Sequence, residues 1–309
     1  MDTGYVAYGL MLRSSFSLPG MAPAEAEGLP AVALELVAPA ELEAAWGTDR
    51  RPSWRGRLGD GQELAIARGT GNDLLFAYGE RARFRFDRRA GLLECAPRDI
   101  ADLAWQRVLL SRVLPNVSLA HGREALHASA VETPQGVVAI AAPSETGKST
   151  LAAELTRRGW PLFADDVLVL AAGADGVEAH PGTPHVNLAK GAARPDVRGA
   201  TLGVLAGERW MTIGEGESRP CGVTAIFLFE RGPGLALAAS SLHSSPLVLA
   251  PYMLGLPDDV EGESTRFALY SDLIDSTALL RLTAGVADEP AALADTVERA
   301  LDLSTQGVA

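Results

Sequence analysis

The chain has 309 residues, 47% hydrophobic and 21% charged, and 27 Lys plus Arg against 39 Asp plus Glu leave a formal net charge of −12. This globular composition excludes a disordered, collagenous or coiled-coil chain, and the anionic balance argues against nucleic-acid binding, because phosphate backbones are held by an excess of cations. At about 100–200 residues per domain, two domains are expected.

The chain opens Met1-Asp2-Thr3-Gly4-Tyr5 with no basic stretch ahead of an apolar run, so no export signal is expected. The apolar runs around Val137, Phe227 and Leu247 are far shorter than the roughly 20 residues a spanning helix needs, and no membrane span is expected. Cys95 and Cys221 match neither a disulfide framework nor a metal knuckle. They read as buried, inert thiols of a protein in a reducing cytoplasm.

The first third reads as short strands at 5–12, 31–37, 62–68, 74–78 and 81–86. In the last of these Arg81, Arg83 and Arg85 alternate with Ala82, Phe84 and Phe86, a period of two that places guanidinium groups on one face and rings on the other. The arginine row reads as a solvated strand face, with docking of an acidic peptide or phosphate as the functional alternative. After Pro97 a helical period carries Ile100, Leu103, Ala104 and Val108 until Pro115, which is expected to stop it. The boundary is placed near residue 116, giving a smaller β-rich α+β domain (1–116) and an α/β domain (117–309).

The second domain begins with a strand at 136–142, a helix at 147–158, and a strand from 161 to 164 that can extend to 170; a loop-rich stretch follows. The continuous apolar run Val223-Thr224-Ala225-Ile226-Phe227-Leu228-Phe229 predicts a strand of the same sheet covered on both faces. Two amphipathic helices close the chain, one marked by Phe267, Tyr270, Leu273 and Ile274, the other by Pro290, Leu293, Val297 and Leu301.

The informative segment is Ala142-Pro143-Ser144-Glu145-Thr146-Gly147-Lys148-Ser149-Thr150, set between a β-branched strand and a helix. Backbone N–H groups of Pro143–Thr150-type loops wrap a phosphate, aided by the positive end of the following helix, while the lysine reaches the terminal phosphates and the next hydroxyl binds Mg²⁺. Lys148 is therefore the expected charge clamp and Ser149 the metal ligand, with Pro143, Ser144, Glu145, Thr146, Gly147 and Thr150 completing an ATP cradle. Ala142 stands where the usual pattern has glycine, and Glu145 is expected to point to solvent. Lys148 and Lys190 are the chain's only lysines.

Downstream, Leu162-Phe163-Ala164 ends in Asp165-Asp166. If this strand is the parallel neighbour of the cradle strand, its C-terminus brings both carboxylates beside the terminal phosphate. Phosphoryl transfer needs a metal and a group that takes the acceptor's proton; Asp165 is expected to be that base and Asp166 a metal ligand. His127, just ahead of a hairpin partner of the cradle strand, is placed near the same crevice. His180, His185 and His243 show no metal-like spacing.

Together His127, Pro143 to Thr150, and Arg158-Gly159 leading to Ala164-Asp165-Asp166 resemble the HPr kinase/phosphorylase family of bacterial serine kinases, over roughly residues 120–170. The resemblance implies a P-loop kinase domain using ATP and Mg²⁺, with the histidine near the active site, Asp165 as base and Asp166 at the metal. The family's acidic-Ile-Arg-Gly-Leu-Gly stretch is not found; Asp196-Val197-Arg198-Gly199 is a loose echo of it. His180-Pro181-Gly182-Thr183-Pro184 and the N-terminal region look more like the diverged members found among peptide-tailoring genes, including lasso-peptide clusters. The expected partner is therefore a peptide or protein presenting a serine, with self-association left open. A nucleotide-binding regulator or scaffold and a small-metabolite kinase are the alternatives. A GTPase is disfavoured because Asn187-Leu188-Ala189-Lys190 has the wrong order for a guanine reader.

Overall fold

The structure, a computed structural model, describes residues 2–46, 52–69, 73–174, 176–189, 199–213, 219–239, 245–256 and 263–306. It is a mixed α/β fold with two large sheets. The first contains β1 (Thr3–Ala7), β2 (Leu10–Ser14), β3 (Ala31–Leu36), β4 (Trp54–Arg57), β5 (Glu63–Arg68), β6 (Leu74–Tyr78), β7 (Ala82–Asp87) and β8 (Leu92–Pro97), with helix α1 (Pro39–Trp46) between β3 and β4. Their spatial order is β1-β2-β3-β8-β7-β6-β5-β4.

The single strand expected over 5–12 is instead a hairpin. Tyr8 and Gly9 take φ values of 56° and 71°, the pair of positive angles a type I′ turn requires. Tyr8 lacks a glycine's freedom, and its surroundings hold it there: its N–H donates to Pro181 O at 2.7 Å and its carbonyl accepts from Ser118 Oγ at 2.7 Å. The alternation in β7 holds, with Ala82, Phe84 and Phe86 buried, each ring adding about 1.5–3 kcal/mol by leaving water. On the opposite row Arg81 pairs with Asp102, Arg83 with Glu80 and Arg85 with Glu94, so these guanidinium groups are engaged within the molecule.

Asp102 caps α2 (Leu103–Val108), its carboxylate accepting from Ala104 N at 3.0 Å. The expected stop at Pro115 does not occur. The helix widens into a π turn (Leu109–Val113) and continues as α3 (Leu114–Ala120). The π turn shifts the hydrogen-bond ladder just where Pro115 has no N–H to donate. Residue 116 thus lies within a helix whose Leu109, Val113 and Val117 pack on the first sheet's core.

The second sheet starts with β9 (Glu124–Leu126), β10 (Ala128–Thr133) and β11 (Gly136–Ala141), and after α4 (Lys148–Arg157) come β12 (Leu162–Ala164), β13 (Leu168–Gly173) and β14 (Gly176–His180). The stretch expected to be loop-rich is strand: β15 (His185–Ala189), β16 (Gly199–Leu205) and β17 (Glu208–Ile213) form a three-stranded sheet. The chain returns to the large sheet with β18 (Cys221–Arg231), β19 (Ala236–Ala239), β20 (Met253–Leu254) and β21 (Ala278–Ala284). As its apolar run predicts, β18 is central, parallel to both β11 and β21.

Helix α5 (Glu263–Ser276) buries Tyr270, Leu273 and Ile274 but leaves Phe267 55% exposed, against expectation. Helix α6 (Pro290–Gln306) buries Leu293 and Val297 against α4. Arg158 locks the two helices together through Asp295 (2.6 Å), Glu298 (2.7 Å), the Ala291 carbonyl (2.8 Å) and Glu154 (3.3 Å). Cys95 is buried as expected, whereas Cys221 is half-buried. Among the described residues no helix is long and apolar enough to cross a membrane. His243, Lys190 and residues 196–198 lie outside the described residues.

Candidate active site

The expected strand, loop and helix are present around the 142–147 loop. Strand β11 is wholly buried and delivers the chain into 142–147, and α4 begins at Lys148. Ala142 is fully buried and takes no left-handed angle, so a methyl group is tolerated where glycine is usual. Gly147 is the position where a methyl group is strained: its φ is 110°, and a Cβ there would lie 2.9 Å from Arg231 Nη2. Pro143, Ser144 and Glu145 are exposed, Glu145 with φ 63°; Thr146 and Lys148 are buried, and Ser149 and Thr150 are half-buried. The first-turn N–H groups of α4 have no intrahelical acceptors and face the loop's concavity, the arrangement that takes an anion.

Opposite the loop, two adjacent strands break at the same level. β9 and β10 are interrupted at His127, and β12 and β13 at Asp165 and Asp166, while Leu126 pairs with Leu168 and Ala130 with Ala164 on either side. Asp166 takes φ 70° at the break. The strand bearing the acids is therefore not the neighbour of β11, as expected, since β10 lies between them, antiparallel to both. The register of the two breaks places His127 against the acids. Its Nδ1 lies 2.9 Å from the Asp166 carbonyl and its Nε2 lies 2.9 Å from Lys148 Nζ. That contact pattern fits a neutral ring with the proton on Nδ1.

The two carboxylates sit in different surroundings. Asp165 is 7% exposed; it accepts from Ser129 Oγ at 2.5 Å and from the Asn187 N–H at 3.3 Å, and the Ser149 side chain acts to lower its pKa. Burial and then the neighbouring Asp166 charge raise its pKa above the usual carboxylate range. Asp166 meets Arg112 at 2.7 Å and Lys148 Nζ at 3.7 Å. Burial acts upward on Asp166 as well, but Arg112, followed by Lys148, His127 and Arg107, brings its pKa below the usual value. His127 is lowered, first by burial, with Asp166 opposing and Lys148 reinforcing the shift.

The predicted residues His127, Lys148, Ser149, Asp165 and Asp166 thus converge. His180 and His185 do not join them: His185 Nε2 donates to Pro19 O at 2.7 Å, and His180 packs beside Gly9. Four contributors were missed. Arg112 comes from the π turn, and the apolar residues Val117, Leu119 and Ala120 beyond Pro115 were the available sign that the helix continues. Arg231, at the end of β18, lies over the Phe229 ring at 5.4 Å beside Gly147. Ser129 and Asn187 carried no spacing signal, because only strand pairing brings them to Asp165.

A cation and a phosphate fit this arrangement. Ser149 offers a hydroxyl near a buried carboxylate, Asp165, that a neighbouring like charge destabilises, and such a pair gains from a divalent ion. Lys148 is a nearly buried cation held by a neutral histidine and a carboxylate rather than by solvent.

No protein-family model matches the chain, and no curated protein matches it. Among solved structures it is similar to the Hpr(Ser) kinase/phosphatase from Coxiella burnetii, at 14% identity and a TM-score of 0.30, over 59% of this chain and 98% of that one.

Proposed function

We propose that the chain transfers the terminal phosphate of Mg²⁺-bound ATP to a serine hydroxyl of a peptide or protein. The observation that carries this reading is the convergence of a helix-capped phosphate loop, Lys148 and the Asp165-Asp166 pair on one crevice. Bound there, Mg²⁺ and ATP supply the phosphoryl group and the charge neutralisation the transfer needs. The 142–149 loop holds the phosphates, Lys148 moves its charge from Asp166 onto them, and Arg231 stands at the rim beside Gly147.

The geometry favours a division of labour opposite to the one the resemblance implies. Asp165 is enclosed, bonded to Ser129 and close enough to Ser149 to feel its hydroxyl, which suits the metal side of the site. Asp166 faces Lys148, His127 and Arg112, is ionised at neutral pH, and is the carboxylate positioned to take the acceptor's proton. His127 holds Lys148 and, through the Asp166 carbonyl, the strand break that aims Asp166.

The regulator reading draws on one feature, that Asp166 rests in ion pairs with Arg112 and Lys148. Incubation with labelled ATP, Mg²⁺ and serine peptides separates the two. A kinase transfers label, Asp166→Asn and Lys148→Ala abolish transfer, and Asp165→Asn raises the Mg²⁺ requirement. Binding of ATP with no transfer to any peptide would instead favour the regulator, and full transfer by Asp166→Asn would remove its role as base.

A further inference from the structure

Strand β18 lies beside β11 on the edge away from His127 and the acids, because β10 pairs with the other edge of β11. Ala141, the last residue of β11, is level with Leu228, and β18 runs on to Arg231. At about 3.3 Å per residue, those three further positions lift Arg231 to the height of the phosphate loop. Alternation sets its face. Phe227 and Phe229 are buried in one cluster with Leu151 and Leu155 of α4, so Arg231 emerges on the α4 side, while Glu230 turns to the other face and pairs with Arg281 at 3.0 Å.

The guanidinium is anchored there. Nη1 donates to the Gly285 carbonyl at 2.9 Å, and Cζ lies 5.4 Å from the centre of the Phe229 ring. Nη2 borders the loop: a Cβ on Gly147 would sit 2.9 Å from it, an approach that glycine permits. Lys148 and Arg112 both meet Asp166, whereas Arg231 has no carboxylate partner among the described residues. An arginine held by a carbonyl and a ring, neutralised by no acid and set against a phosphate loop, presents an open fork to an oxyanion.

We propose that Arg231 binds the phosphates that ADP keeps, an inference that rests on the reading of this crevice as an ATP site. The acids and His127 mark the transfer side of the loop, and Arg231 stands on the opposite side, so its partners are oxygens of the β-phosphate rather than of the terminal one. A phosphate bound to the loop N–H groups lies about 3 Å from their nitrogens, within a small swing of a side chain whose Nη2 already borders Gly147. Nη1 stays on Gly285 while Nη2 turns to oxygen. Lys148 then serves the terminal phosphate and Arg231 the departing ADP.

The test is calorimetric titration of Mg²⁺-ATP and Mg²⁺-ADP into wild type, Arg231→Gln and Arg231→Lys, with ³¹P NMR of the bound ADP. Glutamine removes the charge but keeps an amide that can donate to Gly285 O, and thermal unfolding checks that each variant is folded. Arg231→Gln is expected to weaken ATP and ADP alike, by about tenfold or more, the scale of one charge-assisted hydrogen bond. Arg231→Lys should be intermediate, and the β-phosphorus resonance of bound ADP should move in Arg231→Gln, which a merely structural role would not cause. Unchanged ADP affinity, a loss confined to ATP, an unmoved β-phosphorus resonance, or no ADP binding by wild type overturns the assignment. Parallel assays with labelled ATP and serine peptides keep the two ideas apart. ADP binding that depends on Arg231 without label transfer leaves the assignment standing and removes the kinase; label transfer by a protein whose ADP affinity ignores Arg231 does the reverse.

Discussion

Lys148 Nζ donates to His127 Nε2 at 2.9 Å, so the cation that the proposed function assigns to phosphate rests on an imidazole. This requires a neutral ring, and burial, with Lys148 adding to it, keeps the His127 pKa below 6.5 while Asp166 pulls the other way. The signs are separable. In NMR titrations Lys148→Ala is expected to raise the His127 pKa and Asp166→Asn to lower it further. Unchanged titration in both variants would show that the histidine is not coupled to the cradle.

The glycine the phosphate loop needs is Gly147, and Ala142 is no defect. Gly147→Ala places a side chain at φ 110° and 2.9 Å from Arg231 Nη2, a strain of about 1–3 kcal/mol, and ATP affinity should fall about tenfold or more, measured calorimetrically. Ala142→Gly adds only backbone freedom at a buried position. It should cost stability of the order of 1 kcal/mol without tightening ATP binding.

Arg158 is a structural tie at the C-cap of α4. Its side chain is 18% exposed and its loss leaves Glu154, 3% exposed, with Arg157 as its remaining partner at 2.7 Å. Arg158→Ala is expected to lower unfolding stability in urea by about 2–3 kcal/mol, with Arg158→Lys intermediate because an ammonium cannot reach all four acceptors. A loss below about 0.5 kcal/mol would place these contacts with ordinary surface pairs.

The phosphate loop and its flanking elements were legible because strand, turn chemistry and helix lie within one short stretch of chain. The buried run of β18 and the rings of β7 were legible for the same local reason, a periodicity that burial enforces. What was lost depends on contacts distant in sequence. Tyr8 turns a hairpin because Pro181 and Ser118 hold it, and nothing within residues 5–12 signals that. Pro115 reads as a breaker until the π turn is seen to absorb it. The different surroundings of Asp165 and Asp166 were illegible because alternation assumes an extended strand, and Asp166 leaves that conformation at φ 70°.

His180 and His185 are expected to make the fold sensitive to acid, apart from any role in the candidate site. Both are 6% exposed, and burial pushes each pKa down to about 4, with Arg123 adding to the shift at His180 and the Pro19 carbonyl opposing it at His185. Below pH 6.5 the unfolded chain binds protons that the folded chain refuses, so stability is full above that pH and is lost as pH falls toward 4. At pH 5 the loss is of the order of 2 kcal/mol for each histidine. Urea unfolding at pH 7.5 and 5.0 should show it, and His185→Gln should remove about half of the difference, since a glutamine cannot titrate but can still donate to Pro19 O. Equal stability of the wild type at the two pH values would mean that burial does not hold either ring's pKa below that of the unfolded chain.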